Sequence, residues 1–324
     1  MRRLAALAAV LLLTACAGSP RLSTPAATAA DGWTPMVVRT RTIGLGIPGG
    51  VRLARGVRFA GGLELMLPPG HRLHGLSDLK TVGDDLLAVT DAGDLVRGRL
   101  ALDRRGRPIG LAAVQLRALT RLDGGPFGNK GDGDAESLIV TPDGEVIVGF
   151  EKVPRVWSYG RLDALESRPT ALPTPPVPPG NTGLEALALA VDGDGWRAAG
   201  EGGGVWDCDR RACNEVTAPP AAEIPVSDWR ITGMDRDPEG TGWFVVQRRF
   251  REPADARARV RRMDRSGTMG PVLIELALPS TTDNFEGIAV VAEDDGVRLH
   301  LLSDDNSNDR QRTLLLAFDV RPAR

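Results

Sequence analysis

The chain has 324 residues, a formal charge of −2, 25% charged and 42% hydrophobic residues. That length supplies core for one large domain or two small ones. No basic excess and no Arg/Lys stripe interleaved with aromatics is present, so a nucleic-acid partner is not expected.

The first residues read as a targeting signal. Arg2 and Arg3 precede a short apolar run, Leu4–Leu13, which is too short to span a bilayer as a helix. The run ends Leu13-Thr14-Ala15-Cys16, which resembles a bacterial lipoprotein box whose cysteine is lipidated after cleavage. The expectation is a signal peptide over residues 1–15 and a membrane anchor at Cys16. Ala17 rather than Asp follows the cysteine, which by resemblance to enterobacterial lipoproteins favours the outer membrane, facing the periplasm. Residues 16–32 are small, polar and Pro-containing, as a flexible tether would be. A monomeric domain is expected over residues 33–324. In an oxidising compartment the remaining pair, Cys208 and Cys213, is expected to form a disulfide at a hairpin tip. A metal or redox pair is the alternative for these cysteines, and no third or fourth ligand lies nearby.

From Trp33 onward, short apolar runs alternate with Gly, Asp and Pro, which favours an all-β domain. Five segments align on a three-residue opening: His74-Gly75-Leu76, Glu136-Ser137-Leu138, Glu185-Ala186-Leu187, Thr232-Gly233-Met234 and Glu286-Gly287-Ile288. The openings are 62, 49, 47 and 54 residues apart. Each is followed by a turn (Gly83-Asp84, Asp143-Gly144, Asp192-Gly193, Glu239-Gly240, Asp295-Gly296) and a second strand ending at Asp91, Glu151, Glu201, Arg248 or Asp304. Further strands follow each pair. Four strands at a period near fifty predict a β-propeller with five clear blades. The last copy lacks a fourth strand, which the N-terminal strands around Met36–Leu67 can supply to close the ring; they also leave room for a sixth blade.

In a propeller the innermost strands line the channel, so the openings predict one ring of side chains (His74, Glu136, Glu185, Thr232, Glu286) and the strand ends a companion ring (Asp91, Glu151, Glu201, Arg248, Asp304). Clustered carboxylates raise one another's pKa unless a cation sits among them. Oxygen donors at this density suit Ca²⁺, or Mg²⁺ as the alternative, rather than zinc. Glu136, Glu185, Glu286 and Asp91 are the candidate metal ligands. Glu151, Glu201 and Asp304 are candidate catalytic, water-orienting groups, and Arg248 and His74 candidate contacts to an anionic substrate. Two loops add acids: Gly128–Glu136, with Asp132, Asp134 and Glu136 at alternate positions, and Ser303–Asp309. The structural alternative stays open: an acid at a strand start can simply accept backbone N–H bonds, and acids in Asp-Gly loops can simply cap turns. No Gly-x-Ser-x-Gly elbow, P-loop or dinucleotide glycine motif is present.

Four motifs carry a family resemblance: His74-Gly75-Leu76-Ser77-Asp78, Asp134-Ala135-Glu136-Ser137-Leu138, Asn284-Phe285-Glu286-Gly287-Ile288-Ala289 and Leu302-Ser303-Asp304-Asp305-Asn306. Over Gly61–Val320 the chain resembles the bacterial phytase-like family with esterase-like activity of phytase. The resemblance implies a propeller and a phosphoester or ester hydrolase acting on a small anionic substrate, with calcium in an acidic channel. The Asp-Ala-Asp-Asp-Pro-Ala type motif of true phytases is absent, so the resemblance reaches the family and not phytate. Two other functional classes fit the same pattern: a non-catalytic envelope propeller that binds a protein or glycan, and a lactonase-like or sugar-oxidising propeller.

Overall fold

The computed structural model describes residues 31–177 and 183–321. The leader expected over 1–15, the lipidation site Cys16 and the tether up to residue 30 lie outside the described residues.

Five antiparallel sheets form the blades of one ring, each an up-and-down meander from the inside outward. The first runs Leu76–Val82, Asp85–Thr90, Asp94–Leu102, Pro108–Ala118, and the second Ala135–Val140, Glu145–Phe150, Arg155–Arg161, Thr170–Leu172. The third runs Leu184–Leu189, Trp196–Gly200, Val205–Cys208, Cys213–Thr217, and the fourth Arg230–Arg236, Trp243–Arg251, Asp255–Met263, Met269–Ala277. The fifth has Asn284–Glu293, Gly296–Asp304 and Leu314–Val320 from the C-terminal part of the chain. Its fourth strand is Val57–Met66, paired antiparallel to Leu314–Val320. The innermost strands touch in sequence order, and the fifth touches the first, so the ring is closed.

The other N-terminal strands build no sixth blade. Arg39–Ile43 lies on the outer edge of the fifth blade, Val51–Leu53 on the fourth and Thr34–Pro35 on the first. Each covers backbone donors and acceptors that an outer edge would leave unpaired.

The chain can build this ring because every blade carries apolar side chains for both neighbours. Five core clusters fill the five interfaces among the described residues. Leu138 and Val146 of the second blade meet Leu87 and Val89 of the first, for example, and Phe285 and Leu299 of the fifth meet Phe244 and Val260 of the fourth. Trp196–Gly200 is buried along its whole length, as a strand covered on both faces must be. The five turns between first and second strands each place a glycine at positive φ (Gly83, Gly144, Gly193, Gly240, Gly296), which a side chain would strain.

Cys208 and Cys213 face each other across the outer hairpin of the third blade and are bridged, with Cα atoms 4.0 Å apart. The bridge closes so short a loop that its entropic contribution is small; it pins the hairpin tip, and the bridged sulfurs offer no thiolates to a metal.

Candidate functional site

At the channel mouth the ladder between first and second strand is broken in every blade. Between Ala135↔Phe150 and Ser137↔Gly149 the second blade carries one extra residue, Glu136. The same shift leaves Glu185, Thr232 and Glu286 as the extra residues in the third, fourth and fifth blades. A bulge re-aims the side chain of the inserted residue, and here Glu136, Glu185 and Glu286 line one cavity at the channel mouth.

The first blade corrects the sequence alignment. Its extra residue is Ser77, between Leu76↔Thr90 and Asp78↔Val89, not His74. The true period from the first to the second copy is therefore 59 residues rather than 62. His74 precedes the strand and is absent from the cavity wall; its Nδ1 meets Asp305 at 2.7 Å and its Nε2 the Pro68 carbonyl at 3.0 Å. Against the downward push of burial, Asp305 holds the His74 imidazole up, so His74 and Asp305 brace a loop. Thr232 turns away from the cavity and donates to the Phe285 carbonyl at 3.1 Å.

The companion ring stands as aligned. Asp91, Glu151, Glu201, Arg248 and Asp304 all line the same cavity, of about 240 Å³. All seven acids expected in the two rings thus converge. Three lining side chains were not assigned there from the sequence: Asp134, Lys130 and Asn306. Lys152 also lines the wall. The Gly128–Glu136 segment is not a calcium loop of alternating ligands. Asn129 caps the short helix Lys130–Gly133, its side chain accepting from the Asp132 amide, and Asp132 faces solvent. Of that segment's three acids, only Asp134 and Glu136 reach the channel. Their sequence signal is the Asp-x-Glu spacing across the strand start, which puts both on the mouth side once Glu136 is bulged.

Eight carboxylates therefore share the cavity with Arg248, Lys130 and Lys152. Lys130 pairs with Asp91, and Lys152 lies 3.7 Å from Asp134. Arg248 bridges Glu201 at 3.1 Å and Glu286 at 3.2 Å. Glu201 is also held by Arg230 at 3.0 Å, so it is committed to two guanidinium groups. The other acids are under-compensated. Burial raises Glu136 and Glu185 well above the ordinary carboxylate range, with repulsion from Glu286 and Asp134 adding at Glu136 and from Glu136 and Glu201 at Glu185. Burial and then Glu286 raise Asp304 likewise. Glu286 itself is pushed up to about 7, burial outweighing Arg248. Burial also raises Glu151, moderated by a hydrogen bond with Glu185, and raises Asp91 and Asp134 against their lysines.

This donor set fits a hard cation. Oxygen atoms of Asp134, Glu136 and Glu151 lie within 4.8 Å of one another, as do those of Glu151, Glu185 and Glu201. Glu151 belongs to both groups. Every donor is a carboxylate and no imidazole or thiolate lines the wall, which suits Ca²⁺ or Mg²⁺ and not zinc.

A closed five-bladed ring with an acidic mouth defines an acidic-channel β-propeller. The family described as "Phytase-like: Esterase-like activity of phytase" matches residues 71–307, and the chain belongs to that family. A search of curated proteins gives no match. Among solved structures the chain is similar to a presumed gluconolactonase from a structural-genomics target (12% identity, 90% of this chain and 95% of that one covered, TM-score 0.47). It is also similar to the Malassezia sympodialis allergen Mala s 1 (14%, 82% and 90%, 0.43) and to the propeller domain of Myceliophteria thermophila Cps50 (13%, 87% and 100%, 0.41).

Proposed function

We propose that this protein is a lipid-anchored hydrolase of the cell envelope, outer-membrane-bound and periplasm-facing, that cleaves a phosphoester or ester of an anionic substrate with a divalent cation in its acidic channel. The observation that carries the reading is the pair of overlapping carboxylate groups joined at Glu151. Asp134, Glu136, Glu151 and Glu185 would hold the cation, with Asp91 at their edge. Bound there, Ca²⁺ or Mg²⁺ would supply charge neutralisation and Lewis-acid polarisation of the scissile group. Glu286 and Asp304 handle the proton, because burial raises both carboxyls, Glu286 to about 7, and Glu286 raises Asp304 further. One of them takes a proton from the attacking water and returns it to the leaving oxygen. Arg248 receives the anionic group. Glu201 orients Arg248 rather than acting as a base, because Arg230 and Arg248 both engage its oxygens.

The decisive experiment is thermal unfolding with EDTA and then with Ca²⁺, Mg²⁺ or Mn²⁺, followed by a panel of phosphoesters and carboxylic esters. A saturable rise in midpoint that Glu151→Gln abolishes, together with turnover that EDTA removes, supports the reading. A folded protein indifferent to every ion would sink it. The second reading, a non-catalytic binding propeller, draws on Lys130 and Lys152, which pair with Asp91 and Asp134 without any ion. It predicts that indifference.

A further inference from the structure

A second, larger cavity adjoins the acidic one. A cleft of about 820 Å³ runs from the mouth across the fourth and fifth blades and shares Glu201, Arg248 and Asn306 with the acidic cavity. Its size falls within the usual range for organic ligands, whereas the 240 Å³ channel falls below it. An ester whose reacting group enters the channel must leave its organic part outside.

The cleft is built by two elements that extend past the channel rings. The second strand of the fourth blade continues beyond Arg248 through Arg249, Phe250 and Arg251, and pairs with Asp255–Arg257. The Phe250 amide donates to the Val226 carbonyl at 2.8 Å, which draws the preceding loop onto this wall. The loop after Asp304 forms the facing wall, with Asn308, Arg310 and Arg312.

The lining is of two kinds. Val226, Phe250 and Leu278 all face the cleft and are 55%, 42% and 57% exposed. Single exposed apolar residues are ordinary, but three that converge on one concave surface mark a binding site. Around them stand Arg230, Arg248, Arg249, Arg257, Arg310 and Arg312, against only Glu201 and Asp283. Several of these arginines are spent on neighbours: Arg257 on Asp255 and Glu275, Arg312 on Asp283. Two are less committed. Arg249 pairs with Asp255 only at 3.6 Å and lies 5.1 Å from the centre of the Trp229 ring, and its buried Nε has no hydrogen-bond partner. The exposed Arg310 side chain has no partner among the described residues. Beside a channel rich in carboxylates, the cleft is thus cationic with an apolar floor.

We infer that this cleft binds the organic part of the substrate, and that this part is an aryl or alkyl group carried by an acid. The inference rests on the proposed hydrolase reading for what happens in the channel, but the cleft can be tested without it. Phe250, Val226 and Leu278 take the apolar body; Arg249 and Arg310 take negative charge.

The test titrates 1-naphthalenesulfonate into the purified full-length protein in EDTA, by calorimetry, with methanesulfonate as the anion without a ring. Saturable binding of the naphthyl probe at one site is expected, roughly tenfold or more tighter than methanesulfonate, the scale that burying an aromatic ring supplies. Phe250→Ser should remove most of that gain, Arg310→Gln should weaken the naphthyl probe several-fold, and Ile109→Ser, an exposed site on the first blade, should change nothing. Leu278→Ser serves as a second variant should Phe250→Ser unfold. Equal affinity for the two sulfonates, or a naphthyl affinity that Phe250→Ser and Leu278→Ser leave intact, overturns the inference. The Ca²⁺ midpoint shift is read on the same samples. Naphthyl binding without a Ca²⁺ shift supports the cleft and removes the cation reading; a Ca²⁺ shift without naphthyl binding overturns the cleft alone.

Discussion

Glu286 holds much of the electrostatics of the mouth in one side chain. Its carboxyl is pushed from an ordinary 4.5 to about 7, burial first, with Glu201 and Asp91 adding and Arg248 opposing. A carboxyl raised on folding binds protons more tightly in the native state. Its contribution to stability is therefore fully present below about 4.5 and is lost as pH rises through about 7. Glu136, Glu185 and Asp304 shift in the same direction. In EDTA the unfolding midpoint should therefore fall between pH 5 and pH 8. With saturating Ca²⁺ the fall should vanish, because the cation replaces the protons, and apparent Ca²⁺ affinity should rise over the same window. A midpoint in EDTA that rises from pH 5 to pH 8 would contradict this account. Which carboxylate matters most follows from geometry. Glu151 belongs to both oxygen groups and Glu185 to one. At a hundredfold excess over Kd, the cation should add roughly 5–10 °C to the midpoint of the natural protein. Glu151→Gln should erase that gain and Glu185→Gln should leave part of it, while both variants should be more stable than the parent in EDTA at pH 8. Equal losses would mean that the shared position of Glu151 has no consequence.

At the scale of the strand, the glycine in two of the openings has a backbone cause. A Cβ added to Gly233 would stand 1.9 Å from the Glu286 carbonyl oxygen, and one added to Gly287 would stand 2.9 Å from the Asp78 Cα. Adjacent inner strands meet there backbone to backbone. Gly233→Ala must move the fifth blade's inner strand, and with it Glu286. It should cost about 1–3 kcal/mol, the range for overpacking, and weaken Ca²⁺ binding as well. Gly144→Ala has open space but a positive φ of 88°, so it should cost about 1 kcal/mol and leave Ca²⁺ binding alone. A Gly233→Ala protein with unchanged Ca²⁺ response would show that the contact does not position the site. This contact also explains what the sequence made legible. Small-then-apolar openings, glycine turns and a charged strand end recur because every blade repeats the same tight turn and the same bulge, and two of them the same close approach. The first blade broke the pattern. Its small position is filled by Asp78, so His74-Gly75-Leu76 offered a better match three residues early. Lys130 and Asp134 were not assigned to the mouth because a capped helical turn delivers them, and no repeat predicts an insertion. The cleft was hidden for a similar reason: Phe250 and Arg310 belong to extensions that single blades add outside the repeat.

For the whole ring, the question is what holds five blades to one axis when each touches only its neighbours. Hydrophobic clusters bind the blades pairwise, and Val57–Met66 closes the circle by pairing with Leu314–Val320. Deeper than the acidic mouth, Lys80 adds a polar tie. Its ammonium donates to both Asp78 oxygens at 2.9 and 2.7 Å, to the Leu79 carbonyl and to the Ile288 carbonyl of the fifth blade. Asp78 in turn accepts the Leu138 amide of the second blade at 3.0 Å. Three blades thus meet on one buried ion pair, whose side chains are 6% and 2% exposed. Lysine occurs three times in the chain, and all three lysines belong to the axis: Lys80 between the inner strands, Lys130 and Lys152 at the mouth. A compact ammonium with three free donor directions fits these places, and the planar fork of the arginine used elsewhere would not. Removing one partner of a buried pair strands the other charge, which costs about 3–5 kcal/mol, whereas replacing both with apolar groups is often nearly neutral. Lys80→Met should therefore lower stability by about that amount in urea unfolding, and Asp78→Leu should do the same. The double variant should recover most of the loss of ion-pair origin while still lacking the Ile288 and Leu138 hydrogen bonds, each worth about 1 kcal/mol. Additive single losses would mean that the two residues act on the ring independently, and the ion pair would then not be the tie.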